Sequence, residues 1–162
     1  MKRALISILL PSFMLAALVA CGSDSNNAQP KVFNLNLTPQ GETPPCPAAG
    51  VGASGTAKVT IAADNSSVTV DVTYTNLSGP ATASHIHSGT ATAAGPVVLP
   101  FSQPLTSPFS KTVTATDYVT PAPTGAPPDF ATFVTALKAG GGGYVNVHTD
   151  ACKPGEIRAE VQ

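Results

Sequence analysis

The feature that most constrains this chain is a period-two alternation of apolar and polar residues. It is clearest over residues 67–76 (SVTVDVTYTN), where valines and a tyrosine alternate with threonines and an aspartate. Successive side chains of a strand point to opposite faces, so this pattern predicts a strand with one face in a core. Residues 56–61 (TAKVTI) alternate in the same way, and the turn-forming Asp64-Asn65-Ser66 lies between the two runs. Together they predict a β-hairpin.

Shorter runs of the same kind recur along the chain, separated by turn residues. The 14 Gly and 16 Pro residues interrupt the sequence too often for a helix bundle. The only helical pattern covers residues 129–138, where apolar residues fall at i, i+3, i+4 and i+7 before a run of glycines. We therefore predict an all-β protein, an immunoglobulin-like or Greek-key antiparallel β-sandwich or barrel with one short helix near 129–138. The other predicted strands are residues 32–37, 82–87, 97–99, 109–113, 144–149 and 156–161.

The N-terminal segment is typical of an exported protein. Lys2 and Arg3 precede a mostly apolar stretch, residues 4–20, that contains a proline and is short for a membrane span. Residues 18–21 (LVAC) resemble the lipobox of bacterial lipoproteins, in which the cysteine receives lipid and the bond before it is cut. We expect a signal peptide at 1–20, a lipid on Cys21 and a flexible tether at 21–30. The alternative is an ordinary secretory signal.

A lipid on Cys21 implies an extracytoplasmic protein anchored to a bacterial membrane. Gly22 follows this cysteine, so the aspartate with which that family signals retention in the inner membrane is absent. In a diderm bacterium we therefore expect the outer membrane. The two remaining cysteines, Cys46 and Cys152, would then lie in an oxidising compartment, which favours a disulfide between them. The alternative use of these two thiols is as soft metal ligands.

All three histidines fall in two predicted strands. His85 and His87 are two residues apart, so their side chains leave the strand on one face. His148 lies in the predicted strand 144–149. If the two strands are neighbours, the three imidazoles can form a copper or zinc site. The alternative is that these histidines only form hydrogen bonds with neighbouring polar groups.

Two more residues near the C-terminus carry specific expectations. Asn146 lies two residues before His148, so it can orient an imidazole or, alternatively, hold a loop by a hydrogen bond. Arg158 is, with Asn146, a candidate to contact the metal-binding histidines without itself binding the ion. It alternates outward from Ile157, which favours a surface ion pair with Glu156 or Asp150 over a guide for anions.

Composition excludes one class of partner and offers no catalytic set. The net charge is −1, only 10% of residues are charged, and no basic run is present, so we expect no nucleic-acid binding. The glycines at 140–143 follow the predicted helix instead of preceding one, which excludes a phosphate loop of the helix N-terminal type. No nucleophile and base with the spacing of a catalytic triad stand out, so no catalytic residue is assigned.

Four blocks of sequence resemble the CHRD domain, which is named for chordin and is widespread in bacterial exported proteins. The resemblance covers residues 31–162 and implies an immunoglobulin-like β-barrel without a settled biochemical activity. In chordin the domain belongs to an extracellular antagonist that binds proteins. The blocks are 85–89 (HIHSG), 95–98 (GPVV), 143–149 (GYVNVHT) and 154–158 (PGEIR).

The CHRD resemblance also implies similarity to copper/zinc superoxide dismutases. His85 and His87 resemble the paired copper histidines, His148 a later copper ligand, and Arg158 the arginine that guides superoxide. Cys46 and Cys152 resemble the disulfide of that enzyme loosely. Dismutases of this type need four copper histidines and a zinc subsite, and this chain has three histidines in total. We therefore do not expect dismutation.

We interpret the chain as a non-enzymatic binding module of the cell envelope that holds one copper or zinc ion through His85, His87 and His148. The first alternative is an adhesion or scaffold module whose histidines are structural. The second is a copper-dependent redox enzyme similar to superoxide dismutase. The expected partners are the membrane, through the lipid on Cys21, and an unidentified extracytoplasmic protein or metal ion.

Overall fold

The computed structural model describes residues 28–162. The predicted signal peptide at 1–20 and the predicted lipid attachment at Cys21 lie outside these residues. The described part of the chain forms eight strands and one α-helix, at nearly the positions that the alternation pattern predicts. They are β1 (Lys31–Leu37), β2 (Ser54–Ile61), β3 (Ser67–Thr75), β4 (Ala83–Ser88), β5 (Val97–Pro100), β6 (Phe109–Thr114), α1 (Phe130–Lys138), β7 (Gly143–His148) and β8 (Ile157–Glu160).

The strands form two antiparallel four-stranded sheets that share one core. The first sheet has the order β1-β2-β3-β6 and the second has the order β5-β4-β7-β8. The predicted hairpin is the β2-β3 pair, in which Val59 lies opposite Val70. At one edge Thr38, which follows β1, exchanges two backbone hydrogen bonds with Arg158 of β8, at 3.1 and 3.0 Å. The prediction of an all-β sandwich is confirmed.

The inward residues of both sheets meet in this core. Valines of β2 and β3 contribute from the first sheet, and Ile86, Val145 and Val147 contribute from the second, all of them fully buried. Because strand side chains alternate between faces, the residues between these apolar positions on β4 and β7 point away from the core. The outward face of the second sheet is therefore where the histidines lie.

The helix α1 adds its apolar face to the same core. Asp129 caps its N-terminus by accepting a hydrogen bond from the backbone N–H of Thr132, at 2.8 Å. Gly140 follows its C-terminus with a φ of +84°, a left-handed conformation that glycine adopts without strain. The buried helix residues are those that the spacing predicted, Phe130, Phe133, Val134 and Leu137. Within residues 28–162, no helix combines the length and apolarity that crossing a membrane would need.

Candidate metal centre

The pairing of β4 with β7 brings the three histidines together. In this antiparallel pair His85 lies opposite Asn146. His87 is two residues after His85, and His148 is two residues after Asn146, so the three histidines lie on the same face of the sheet. Ile86, between the two β4 histidines, is buried in the core, which directs both imidazoles to the outward side. The sheet register thus places ligands from two distant segments side by side.

The three imidazoles are close enough to share one ion. Nδ1 of His85 and Nε2 of His148 are 3.1 Å apart. The ring centres of His85 and His87 are 5.4 Å apart, and those of His87 and His148 are 6.1 Å apart. One nitrogen from each ring can be chosen so that all three lie within 4.8 Å of one another. A small adjustment of the rings would bring them to the spacing of ligands around copper or zinc.

Backbone carbonyls determine which ring nitrogen two of the histidines offer. Nδ1 of His87 lies 2.8 Å from the carbonyl oxygen of Gly95, and Nδ1 of His148 lies 2.8 Å from that of Lys153. A carbonyl oxygen only accepts, so each Nδ1 must carry the proton and donate it. In the neutral rings Nε2 then carries the lone pair. This arrangement, in which the second nitrogen donates to a backbone carbonyl, is the usual support of a metal-binding histidine.

Burial keeps the three rings uncharged at neutral pH. Burial, together with the neighbouring His148 and His87, lowers the pKa of His85 from 6.5 to about 4. Burial also lowers the pKa of His87, although the hydrogen bond to Gly95 raises it in part. For His148, burial outweighs the opposing effect of the Lys153 carbonyl on the pKa. Uncharged imidazole is the form that binds a metal ion.

Asn146 lies directly against the cluster. Its side chain is 1% exposed, and its Oδ1 is 2.9 Å from Nε2 of His148. The structure therefore places this side chain at an imidazole, which is the first of the two arrangements considered from the sequence. Nδ2 of Asn146 is buried and has no hydrogen-bond partner among the described residues.

Arg158 is buried, and the surface ion pair expected from the sequence is wrong. The residue is 1% exposed. Its Nη2 lies 2.5 Å from Oε1 of Glu160, and its Cζ lies 3.3 Å from the ring centre of Tyr144. Tyr144 in turn stacks on His87, with ring centres 4.6 Å apart. Arg158 therefore supports the aromatic ring beside the histidines instead of reaching into solvent.

The expectation for Arg158 failed because other segments cover the outward face of β8. Nη2 of Arg158 donates to the carbonyl of Thr90 at 2.6 Å. The backbone of Gly41 packs on the Arg158 carbonyl so closely that a Cβ at this glycine would overlap with it. Of the two expected partners, Glu156 is fully buried and accepts hydrogen bonds from other groups. The alternation pattern predicts the face of the strand from which a side chain projects, but it does not reveal which loop covers that face.

Glu42 is a buried residue of this region that the sequence did not indicate. It is 6% exposed, and its carboxyl group occupies the space in which any Cβ at Gly155 would lie. Burial raises the pKa of Glu42 to about 7, while Arg158 and Asn146 act in the opposite direction. Glu42 follows a short 3-10 turn, Pro39–Gly41, in an irregular segment. No periodic pattern or motif could have identified it.

A disulfide links the segment that carries Glu42 to the turn after β7. Cys46 and Cys152 are bonded, which confirms the predicted pair and excludes both thiols as metal ligands. Cys152 directly precedes Lys153, whose carbonyl accepts the hydrogen bond from His148. The covalent link therefore restrains the turn that orients one of the three imidazoles.

The donor set fits copper or zinc. Both ions bind imidazole nitrogen, and three histidines are a common set for either. Nε2 of His87 is buried and has no hydrogen-bond partner among the described residues. Buried polar atoms are normally paired, so a cation shared with His85 and His148 would satisfy this lone pair.

Comparison with known proteins identifies the family. The family model of the CHRD domain matches residues 33–161, which include all three histidines, Asn146 and the disulfide. Comparisons with curated proteins and with solved structures find no match. The similarity to copper/zinc superoxide dismutases therefore stays a prediction. Because the match extends over both sheets and the whole candidate site, this chain belongs to the CHRD domain family.

Proposed function

We propose that this chain is a non-enzymatic, extracytoplasmic binding module that holds one copper or zinc ion through His85, His87 and His148. The observation that carries the proposal is the convergence of three uncharged imidazoles whose nitrogens lie within 4.8 Å of one another. Backbone carbonyls orient two of these rings so that Nε2 carries the lone pair. An array of this kind provides strong donors for an ion of either metal.

The alternative of purely structural histidines fits these contacts less well. A histidine retained for hydrogen bonding alone should have both ring nitrogens paired when it is buried. His148 meets this condition, but His87 is 7% exposed and its Nε2 is unpaired. Burial also keeps the rings uncharged, so they supply no ion pair to a partner protein.

Two observations support an extracytoplasmic location. The Cys46–Cys152 disulfide is a feature of oxidising compartments. CHRD domains are also typically extracellular. We propose in addition that a lipid on Cys21 anchors the domain to the cell envelope, since residues 18–21 have the lipobox pattern.

The test is the metal content and metal affinity of the protein purified without a polyhistidine tag. We expect the wild-type chain to retain one copper or zinc ion after excess metal is removed, measured by elemental analysis. His87→Ala should lose the stoichiometric ion. Asn36→Ala, a change of an exposed residue on the first sheet, is the control and should retain it. A wild-type chain without metal, or an unchanged His87→Ala variant, would reject the proposal.

A further inference from the structure

We propose that the ion site has a fourth protein donor, the side-chain oxygen of Asn146, and that the buried carboxyl group of Glu42 positions this oxygen. The inference rests on the proposed function and deepens it. The ion would then be bound by three imidazole nitrogens and one amide oxygen, and Glu42 would orient the amide group that carries this oxygen.

The distances around His148 are close to those between ligands of one ion. Its Nε2 lies 2.9 Å from Oδ1 of Asn146 and 3.1 Å from Nδ1 of His85. Donor atoms that share a metal ion at bond lengths of about 2.0–2.2 Å lie about 3–3.5 Å from one another. Oδ1 of Asn146 is therefore placed relative to His148 much as the His85 nitrogen is.

The contact between Asn146 and His148 lacks a proton. Nδ1 of His148 donates to Lys153, so Nε2 of the neutral ring is an acceptor, and an amide oxygen is an acceptor as well. Two acceptors 2.9 Å apart repel each other unless a cation lies beside both. The competing arrangement turns the amide around, so that Nδ2 donates to His148. The groups that surround the Asn146 amide determine which of these two orientations is favoured.

Glu42 favours the orientation with the oxygen at the imidazoles. Arg158 lies opposite Asn146 in the β7-β8 pair, and Gly41, the residue before Glu42, packs on the Arg158 backbone. Oε1 of Glu42 and Nδ2 of Asn146 are a buried acceptor and a buried donor, and neither has a hydrogen-bond partner among the described residues. Asn146 also lowers the pKa of Glu42, the effect expected of an amide N–H near a carboxyl group. The amide nitrogen therefore belongs on the Glu42 side.

The test separates the oxygen of Asn146 from its NH₂ group. Asn146→Leu removes both groups at similar volume and should weaken Zn²⁺ and Cu²⁺ binding about 10–100-fold, measured by competition with a chelator. Asn146→Asp combined with Glu42→Gln exchanges the amide and the carboxylate and keeps an oxygen at the site. This double variant should bind at least as tightly as the wild type. Asp71→Asn makes the same kind of change, carboxylate to amide, on the first sheet and, as the control, should leave the affinity unchanged.

A spectroscopic measurement supplies an independent readout. In ¹⁵N-edited NMR spectra, Zn²⁺ should shift the side-chain amide resonances of Asn146, and Glu42→Gln alone should alter that shift. Circular dichroism establishes that each variant is folded. If Asn146→Leu does not fold, the double variant and the NMR shift decide.

The outcomes that overturn the inference differ from those that overturn the proposed function. Unchanged affinity of Asn146→Leu, while His87→Ala loses the ion, rejects the oxygen donor and leaves the three-histidine site standing. A double variant as weak as Asn146→Leu shows that the NH₂ group was needed and also rejects it. A wild-type chain that binds neither ion rejects the proposed function and this inference with it.

Discussion

The carboxylate of Glu156 connects three segments beside the candidate site, and we expect its loss to destabilise the fold. Glu156 is fully buried. Its Oε1 accepts hydrogen bonds from the backbone N–H groups of Gly50 and Ser78, at 2.8 and 2.6 Å. Its Oε2 accepts from the hydroxyl groups of Ser78 and Thr149, both at 2.5 Å. These partners lie before β2, between β3 and β4, and after β7.

The expected magnitude follows from the donors left without an acceptor. Glu156→Leu leaves two backbone N–H groups unsatisfied, each at a cost of about 1–3 kcal/mol, so the free energy of unfolding should fall by about 2–6 kcal/mol. The two hydroxyl groups can rotate to other acceptors and should add less. Glu156→Gln keeps one oxygen for the N–H groups and should cost about 1–2 kcal/mol. Against a typical total of about 5–15 kcal/mol, the leucine variant is severe.

The effect should depend on pH in a defined direction. Burial opposes ionisation of Glu156, but the hydrogen bonds from Gly50, Ser78 and Thr149 together outweigh it and lower its pKa from 4.5. A carboxyl group with a lowered pKa in the folded state stabilises the protein fully above its unfolded pKa. That contribution is lost as the pH falls through the folded pKa. The stability difference between wild type and Glu156→Gln should therefore shrink below about pH 4.5.

Urea unfolding at pH 7 and at pH 3 measures both effects. Asp71→Asn on the first sheet is the matched control and should change the free energy of unfolding by less than about 0.5 kcal/mol. A loss smaller than about 1 kcal/mol for Glu156→Leu at pH 7 would refute the reasoning. So would a difference between wild type and Glu156→Gln that is the same at both pH values.

Two further predictions concern the cysteines. Replacing Cys46 and Cys152 together by alanine should lower the free energy of unfolding by about 4–5 kcal/mol, because the bond closes a loop with a sequence separation of 106; equal urea midpoints for variant and wild type would contradict this. Cys21→Ala should abolish incorporation of labelled fatty acid in bacteria and release the domain from the membrane fraction, whereas Cys46→Ala should not. Fatty-acid labelling of the Cys21→Ala variant would show that the lipid is attached elsewhere or that the lipobox interpretation is wrong.

Most of the fold could be predicted from local patterns in the chain. Residues 67–76 alternate because one face of that strand meets the core, and the pattern needs no information about distant residues. The helix is equally local, since Phe130, Phe133 and Leu137 share a face and Asp129 caps it. Even the predicted disulfide required only the compartment and a count of cysteines.

Only part of the candidate site could be predicted from the sequence. The two histidines of β4 share a face at any register of the sheet, so their proximity was predictable. Their proximity to His148 depends on β7 being the neighbour of β4, with Asn146 opposite His85. No local pattern determines which strands pair.

The sequence by itself determined the fold class, the location of the three histidines in two strands and the pairing of the cysteines. Each of these follows from periodicity, spacing or chemistry along the chain. Only the tertiary structure decided that Arg158 is buried, that Glu42 lies beside Asn146, and that carbonyls of Gly95 and Lys153 orient two imidazoles. These contacts come from irregular segments laid over the second sheet. Their positions depend on how the whole chain packs, and no repeating pattern of side chains records them.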